Sequence, residues 1–198
     1  MKKYGVIYAD PPYKFDNFDY PEAKRGARKE YKTSVLQKIC SLDVPSIASD
    51  NCALFLWVPW PLMFEYAPEI LRKWGFEYKT LGFVWLKKNK IKDSFFWGGG
   101  WWTRSNSEIC LLAMKGKPKR MSASVHQIIM TKRNDIHSRK PCEAREKIVT
   151  LMGDVPRIEL FATEKVEGWD SWGDKVKNDI EINWKKVKKN LKRTLYYE

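Results

Sequence analysis

The tetrapeptide Asp10-Pro11-Pro12-Tyr13 combines residue types that could hold an amine for chemistry. The Asp10 carboxylate and the Pro11 carbonyl are two hydrogen-bond acceptors, and the proline nitrogens carry no hydrogen that would compete for them. Two such acceptors can orient an exocyclic NH₂ group so that its nitrogen lone pair faces an electrophile. Tyr13 adds a flat ring against which a heterocycle can stack. The alternative interpretation is an ordinary strand end, in which Asp10 caps a Pro-Pro turn.

The segment before this tetrapeptide must position it. Residues 4–9 are Tyr-Gly-Val-Ile-Tyr-Ala, which is rich in strand-forming residues, and the two prolines forbid the strand to continue. Asp10 would then stand at the carboxyl end of a strand, which is the edge at which open α/β sheets bind their ligands.

Strand and helix patterns alternate along the rest of the chain. The apolar runs at 53–58 and 108–114 are typical of central strands that are buried on both faces. Further strands are predicted at 76–86 and 157–161, and helices at 34–40, 61–74 and 141–152. This alternation predicts an α/β domain around a largely parallel sheet.

Length and composition fit one globular domain. The 198 residues are 43% hydrophobic, with 10 Trp, 9 Tyr and 9 Phe, which is unlike a disordered chain. The longest apolar run, residues 52–61, is far shorter than the roughly 20 residues that a membrane helix needs, and residues 1–5 lack the apolar region of a signal peptide. We therefore expect a cytoplasmic protein without a membrane partner. The net charge of +13 favours a polyanionic partner such as nucleic acid.

The end of the chain differs in composition from the rest. Residues 184–193 contain six Lys or Arg residues and no acidic residue. We therefore predict a domain over residues 1–176 and a basic, helical tail over residues 177–198. Such a tail could contact nucleic acid, keep the protein in solution or support a dimer.

Several common cofactor motifs are absent from the sequence. No two cysteines lie within ten residues of each other, and neither His126 nor His137 forms a ligand pair with one, so we predict reduced, mostly buried thiols and no metal site. No Gly-x-Gly-x-x-Gly occurs, and the triple glycine at 98–100 lacks the Lys-Ser/Thr of a phosphate-binding loop. These observations argue against nicotinamide, flavin and nucleoside-triphosphate sites of the usual kinds.

The tetrapeptide resembles the Asp/Asn-Pro-Pro-aromatic motif of S-adenosylmethionine-dependent amino methyltransferases. The order of further landmarks over residues 3–176 is similar to the family that includes the catalytic subunit of the eukaryotic messenger-RNA adenosine methyltransferase and has bacterial and phage members. These landmarks are Glu30-Tyr31-Lys-Thr33, Leu54-Phe-Leu-Trp57, Phe83-Val-Trp-Leu-Lys87, residues 102–118, His137-Ser-Arg-Lys-Pro141, Ile158-Glu-Leu-Phe161 and residues 169–173.

This resemblance implies a fold and a cofactor. The fold is the Rossmann-like sheet of class I methyltransferases, with helices on both faces and with the permuted motif order, in which the catalytic strand precedes the cofactor strand. The methyl donor is S-adenosyl-L-methionine, the product is S-adenosyl-L-homocysteine, and no metal takes part. The implied cofactor-binding residues are Asp10, Lys140, Glu159, Leu160, Phe161, Lys165 and Asp174.

Three of these residues can be assigned a specific contact. Lys140 stands before Pro141 at a predicted helix start, where it could pair with the methionyl carboxylate with help from the free helix N–H groups. The sequence departs from many relatives at Thr163, where they have a basic residue, and at Asp174, where they have Asn. Lys165 could replace the missing basic residue, and Asp174 can still accept hydrogen bonds from ribose hydroxyls.

The resemblance also implies a methyl acceptor, the N6 amine of adenine in nucleic acid. Asp10 to Tyr13 would be catalytic, and Tyr31 and Glu108 would contact the target base. Because several basic stretches fall in predicted loops at strand ends, we predict a phosphate-binding rim. Its members are Lys88, Lys90, Lys117, Lys119, Arg120 and Arg133. DNA is favoured over RNA because compact bacterial and phage-like members of the family favour it, and a homo- or heterodimer partner could help to read the sequence.

The residues leave three alternatives open. The polymer could be RNA, the chain could be a non-catalytic nucleic-acid-binding subunit, or the acceptor could be the N4 amine of cytosine or a free nucleotide. The intact Asp10-Pro-Pro-Tyr13 tetrapeptide argues against a silent subunit. The basic charge argues against a free nucleotide.

Overall fold

A computed structural model describes residues 2–13, 35–100, 102–132 and 139–185 of the chain. Its seven strands form one sheet in the order β5-β3-β4-β2-β1-β6-β7. The strands are β1 (Tyr4–Ala9), β2 (Ala48–Val58), β3 (Glu77–Lys88), β4 (Ser107–Lys115), β5 (Ile128–Lys132), β6 (Arg157–Leu160) and β7 (Asp170–Trp172). The helices are α1 (Met63–Trp74) and α2 (Cys142–Met152), with 3₁₀ turns at Val44–Ser46 and Trp60–Leu62 and helical residues at 35–41.

Strand β4 is the exception to a common strand direction. β1 is parallel to β2 and β6, β6 is parallel to β7, and β3 is parallel to β5, whereas β4 is antiparallel to both β2 and β3. Residues 89–106 join β3 to β4 without a crossover helix, which is how antiparallel neighbours are connected. The α/β class is therefore confirmed, and the sheet is mixed where a largely parallel one was predicted.

Helices cover both faces of the sheet. Alternate side chains of β2 point to opposite faces, so Leu54 belongs to one core cluster with Ile70 of α1, and Phe55 belongs to another with Ile148 of α2. This arrangement explains the uninterrupted apolar run of β2, because both of its faces are buried. The prediction of helices on both faces is confirmed.

One edge of the sheet brings together the strand ends that matter for function. In the register of the sheet, Ala9 at the end of β1 pairs with Leu56 of β2 and with Leu160 at the end of β6. Val58 at the end of β2 pairs with Ile109 near the start of β4. The carboxyl ends of β1, β2 and β6 therefore lie beside the amino end of β4, and we call this side the carboxyl edge.

Residues 177–185 pack back onto the domain. Ile182 is buried in the core cluster on the α1 face, Trp184 pairs with Leu42 in an isolated β-bridge, and the N–H of Lys185 donates to the carbonyl of Ser41. None of residues 177–185 is helical. The prediction that a helical tail begins at 177 is thus wrong for these residues, and residues 186–198 lie outside the described part of the chain.

The sequence also leads to predictions about the cysteines, membrane helices and metal sites. All four cysteines are free, as predicted, but Cys142 is exposed at the start of α2 rather than buried. Within the described ranges, no helix is long and apolar enough to cross a membrane. The same residues contain no group of three or more His, Cys, Asp or Glu side chains that could hold a metal ion.

Candidate active site

The carboxyl edge of the sheet opens into a cleft of about 720 Å³. Loops that follow β1, β2, β6 and β7 form its walls, together with the end of β3, the start of β4 and Lys140, which lies two residues before α2. The lining residues are 10–13, 57–61, Lys87, Ser105, 107–109, Lys140, 161–163, Asp174 and Lys175. The sequence separates these segments by up to 165 positions, and the sheet register brings them to one place.

Asp10 and Lys140 form an ion pair in this cleft. The ammonium of Lys140 donates to Oδ2 of Asp10 at 2.6 Å, and it lies 3.3 Å from Oε2 of Glu108. The Lys140 side chain is only 12% exposed, and its Nζ lies 5.4 Å from the centroid of the Trp57 ring. No other described residue donates to the Asp10 carboxylate, so its second oxygen, Oδ1, has no hydrogen-bond donor among these residues.

Burial and neighbouring charge set the protonation of this group of residues. Burial raises the pKa of the Asp10 carboxyl above its ordinary value, and Lys140 offsets only part of that rise. For Lys140, burial works against the charged form, but Asp10 and Glu108 outweigh it and raise its pKa. For Glu108, burial is likewise outweighed, by Lys140 and Lys87, and its pKa is lowered. Lys140 is therefore firmly cationic, and Asp10 is the carboxyl most sensitive to the loss of its partner.

Lys87 extends the charged group along the cleft. Its ammonium donates to Oε1 of Glu108 and lies 4.9 Å from the centroid of the Trp85 ring. Asp10, Lys140, Glu108 and Lys87 thus alternate in charge across the cleft. Lys87 was not predicted as a site residue; the available signal was its position directly after a predicted strand, at the edge where Asp10 was expected.

Three contacts fix Tyr13, two through its side chain and one through its backbone. Its hydroxyl donates to the carbonyl of Trp57 at 3.0 Å, and its ring lies 6.0 Å from that of Tyr66 at an angle of 57°. Its backbone N–H donates to the Pro11 carbonyl at 2.8 Å. That carbonyl, predicted to accept from a substrate amine, therefore has one lone pair engaged and one left. Burial raises the pKa of Tyr13 well above its usual value, so its hydroxyl stays protonated.

Trp57 links the tetrapeptide Asp10-Pro11-Pro12-Tyr13 to the core. Its indole N–H donates to the hydroxyl of Tyr8 at 2.8 Å, and the side chain is buried. The same ring carries Lys140 on its face, and the same residue's carbonyl holds Tyr13. Trp57 was predicted only as part of a strand; its contacts depend on three residues far away in the chain.

The wall after β6 depends on an unusual backbone. Phe161 has a φ of 62°, in the left-handed region that residues other than glycine rarely adopt. The next residue, Ala162, donates its N–H to the carbonyl of Trp172 at 3.0 Å. Gly173 lies so close to this turn that a Cβ on it would come within 2.4 Å of the Ala162 carbonyl oxygen. A glycine at 173 is therefore needed for the close approach that forms this wall.

The structure brings four of the predicted cofactor-binding residues into the cleft and leaves three outside it. Asp10, Lys140, Phe161 and Asp174 line the cleft. Glu159 is instead buried against α2, where it accepts from Nε of Arg145 at 2.7 Å; Leu160 is a core residue, and Lys165 is paired with Asp179. Strand parity explains the first two, because Glu159 and Leu160 point to the two covered faces of the sheet.

The predicted phosphate-binding rim divides into separate places. Lys88 and Lys90 lie at the carboxyl edge, where Lys88 pairs with Asp93. Lys117 follows the end of β4, and its N–H donates to Asn51 near the start of β2, which is the opposite edge of the sheet. Lys117 therefore lies away from the cleft, because β4 runs antiparallel to its neighbours. The roles of Lys119 and Arg120 in a rim stay predictions. Tyr31, Arg133 and His137 lie outside the described residues.

Comparisons with known proteins identify the family. A family model described as MT-A70 matches residues 4–175. A relative from a Mycoplasma species, named type II methyltransferase M.MunI, is 36% identical over 91% of this chain and 82% of its own length. The N(6)-adenosine-methyltransferase MT-A70-like protein of Arabidopsis thaliana is 28% identical over 91% of this chain, and the human N(6)-adenosine-methyltransferase catalytic subunit METTL3 is 29% identical over 81%. The chain spans only 25% and 26% of the length of these two eukaryotic relatives. The family match includes the tetrapeptide and the cleft, and the chain belongs to the MT-A70 family of methyltransferases.

Proposed function

We propose that this protein transfers the methyl group of S-adenosylmethionine to the N6 amine of an adenine in DNA. The observation that carries the proposal is the Asp10 carboxylate, which lines the cleft and which Lys140 holds through one of its two oxygens. The volume of about 720 Å³ lies within the usual range for small-molecule sites, roughly 300–1,000 Å³. The charged groups and the Tyr13 ring supply the contacts that an amine on a flat heterocycle requires.

The residues of the cleft fit the methyl donor. Lys140 has three N–H donors, of which two face Asp10 and Glu108, so the third can bind the methionyl carboxylate. Asp174 lies exposed in the cleft wall, where its carboxylate can accept from ribose hydroxyls. Phe161 and Thr163 would flank the adenosyl group. When bound, S-adenosylmethionine supplies an electrophilic methyl group on a sulfonium.

The chain's own residues would position the acceptor amine. Oδ1 of Asp10 and the remaining lone pair of the Pro11 carbonyl accept its two hydrogens, so that the nitrogen lone pair is directed into the cleft. Placement of reacting atoms within about 3–3.5 Å supplies a large part of the acceleration in such reactions. The Asp10 carboxylate also stabilises the positive charge that develops on the nitrogen. The proton can then leave to water.

Two tyrosines would hold the target base. The Tyr13 ring is fixed against Tyr66 and lines the cleft, so it can present a stacking face without rearrangement. Tyr31 is predicted to close on the base from another side. Adenine in a duplex hides its amine, so the base must be flipped out or the strand must be single.

DNA is the polymer that the comparisons favour. The relative matched over 82% of its length carries the name of a type II methyltransferase. The relatives named for adenosine are matched over about a quarter of their length, which leaves most of each without a counterpart in this chain. We therefore favour DNA and keep RNA adenosine as the second candidate.

Labelled S-adenosylmethionine, incubated with the purified chain and separate pools of single-stranded DNA, duplex DNA and RNA, tests the proposal. Nucleoside mass analysis should find N6-methyladenine in a DNA pool. Label in RNA alone would favour the second candidate, and N4-methylcytosine would change the acceptor. Binding of nucleic acid without any methylation would identify a silent subunit and contradict the proposal.

A further inference from the structure

We propose that the hairpin between β3 and β4, described at residues 89–100 and 102–106, forms a second site that takes the base of a nucleotide flanking the target adenine. The inference rests on the proposed function and adds a substrate contact to it. The hairpin borders a cavity of about 630 Å³. Lys88, Phe95, Trp97, Arg104, Asn106 and Met130 are among its lining residues.

This cavity and the catalytic cleft share a wall. Lys87 and Ser105 line the cleft, whereas their neighbours Lys88 and Arg104 line the second cavity. Consecutive side chains of extended backbone point to opposite sides, so the two cavities lie on either side of the same two segments. The Lys87 N–H donates to the Asn106 carbonyl at 3.0 Å and ties these segments together. A nucleic-acid strand whose target base enters the cleft would therefore pass directly beside the second cavity.

Aromatic rings face this cavity without cover from the rest of the domain. Trp97 is 74% exposed and Phe95 is 42% exposed. Large exposed aromatic side chains of this kind commonly mark a binding surface. Single-stranded nucleic acid uses such rings as stacking platforms for successive bases, and every base can stack because each has a π face.

The charge around the cavity favours a nucleic acid over a protein. Arg104 is exposed and forms no hydrogen bond or ion pair with another described residue. Lys132 stands opposite Lys88 in the β3–β5 register, and the carboxylate of Asp93 faces this excess of positive charge. A protein partner would have to desolvate these cations, and charged residues are depleted at the cores of protein interfaces. Phosphate groups compensate them instead, and an Arg side chain can also stack on a base.

Binding of a short single-stranded DNA with one adenine to the full chain tests the inference. Two further DNAs each carry one abasic site, the first in place of the base on the 5′ side of the adenine and the second in place of the base on its 3′ side. The variant is Trp97→Ala, and the control is Trp102→Ala, since Trp102 is 99% exposed on the same hairpin but does not line the cavity. We expect Trp97→Ala to weaken binding of the intact DNA by about 5- to 150-fold, the range for one lost stacking contact. Trp97→Phe should keep most of the affinity.

The loss of DNA affinity caused by Trp97→Ala and the loss caused by the abasic site should not add. Wild-type protein should bind one of the abasic DNAs as weakly as Trp97→Ala binds the intact DNA, and the variant should lose nothing more on that abasic DNA. The inference would be overturned if the Trp97 and Trp102 variants lost equal DNA affinity, or if Trp97→Ala lost further affinity on the abasic DNA. Methylation by the wild-type protein would still support the proposed function in that case. A change in the oligomeric state of Trp97→Ala by light scattering would identify an interface between copies and also overturn it. Failure of the wild type to methylate any pool would instead contradict the proposed function.

Discussion

Replacement of Lys140 by methionine perturbs the ion pair on which the catalytic carboxylate depends. Methionine keeps much of the length of the side chain and its contact with the Trp57 ring but removes the ammonium. Asp10 then loses the cation that binds it at 2.6 Å, whereas Glu108 keeps Lys87. We expect Lys140→Met to fold, to be less stable, and to bind S-adenosylmethionine weakly.

The size of the effect follows from burial. Removal of one partner from a fully buried ion pair costs about 3–5 kcal/mol, but the Asp10 side chain is 25% exposed, so water compensates part of the loss. We therefore expect a decrease of about 1–3 kcal/mol in the free energy of unfolding, the range for a buried polar group left without its partner. The affinity for S-adenosylmethionine should fall by a similar 1–3 kcal/mol, which is about 5- to 150-fold.

Urea unfolding and calorimetric titration of the cofactor measure the two losses. Lys87→Met is the matched control, because its partner Glu108 keeps Lys140 and its loss should stay below about 1 kcal/mol. In combination with Asp10→Asn, Lys140→Met should cost about 0.5–3 kcal/mol less than alone, because no unpaired charge remains. In the plot of turnover rate against pH, the fall on the acid side should also move to higher pH in Lys140→Met, since Lys140 lowers the pKa of Asp10. An unfolding free energy within about 0.5 kcal/mol of wild type, with unchanged cofactor affinity, would make Lys140 a solvated surface residue and refute the reasoning.

Three further predictions concern stability and the base pocket. Lys140 and Lys87 lower the pKa of Glu108, so its negative charge stabilises the fold at pH values above 4.5, the ordinary pKa of this group. This contribution disappears as the pH falls through the lowered pKa. Urea unfolding should therefore show that Glu108→Gln decreases the free energy of unfolding by about 1 kcal/mol at neutral pH and does not decrease it in acid. Gly173→Ala should cost about 1–3 kcal/mol because its Cβ would meet backbone, whereas Gly99→Ala, with open space around it, should stay within about 0.5 kcal/mol; equal midpoints for the two would contradict the close approach. Tyr31→Ala should slow single turnover by an amount that corresponds to about 1–3 kcal/mol of stacking, and an altered cofactor affinity would place its loop on the wrong side of the site.

The sequence predicted the meeting of distant residues better than the contacts between them. Asp10 and Lys140 were both expected at the site, since one ends a strand and the other precedes a helix, and they lie together 130 positions apart. Their pairing with each other was not predicted, because a strand pattern does not fix side-chain partners. Glu159 shows the same limit, since a shift of one residue along a strand decides whether a side chain faces a ligand or Arg145.

The errors in the prediction also have physical causes. The buried run at 108–114 has the same apolar pattern whichever way its strand runs, so the antiparallel β4 and the distant position of Lys117 could not be read from it. Residues 177–185 contain one buried side chain, Ile182, among polar and charged residues of both signs, which gives no periodic signal. Both features became visible only through pairing with residues far away in the chain.

Methyl transfer by Asp10→Ala, measured in a single turnover at saturating S-adenosylmethionine, tests the central claim most directly. The claim is that the Asp10 carboxylate holds the acceptor amine through the oxygen that Lys140 leaves open. The account predicts that N6-methyladenine formation is abolished while calorimetry on the same preparation still detects bound S-adenosylmethionine, because Lys140 keeps Glu108 as a partner and Asp174 remains in the cleft. Methyl transfer at close to the wild-type rate by the folded variant would contradict it.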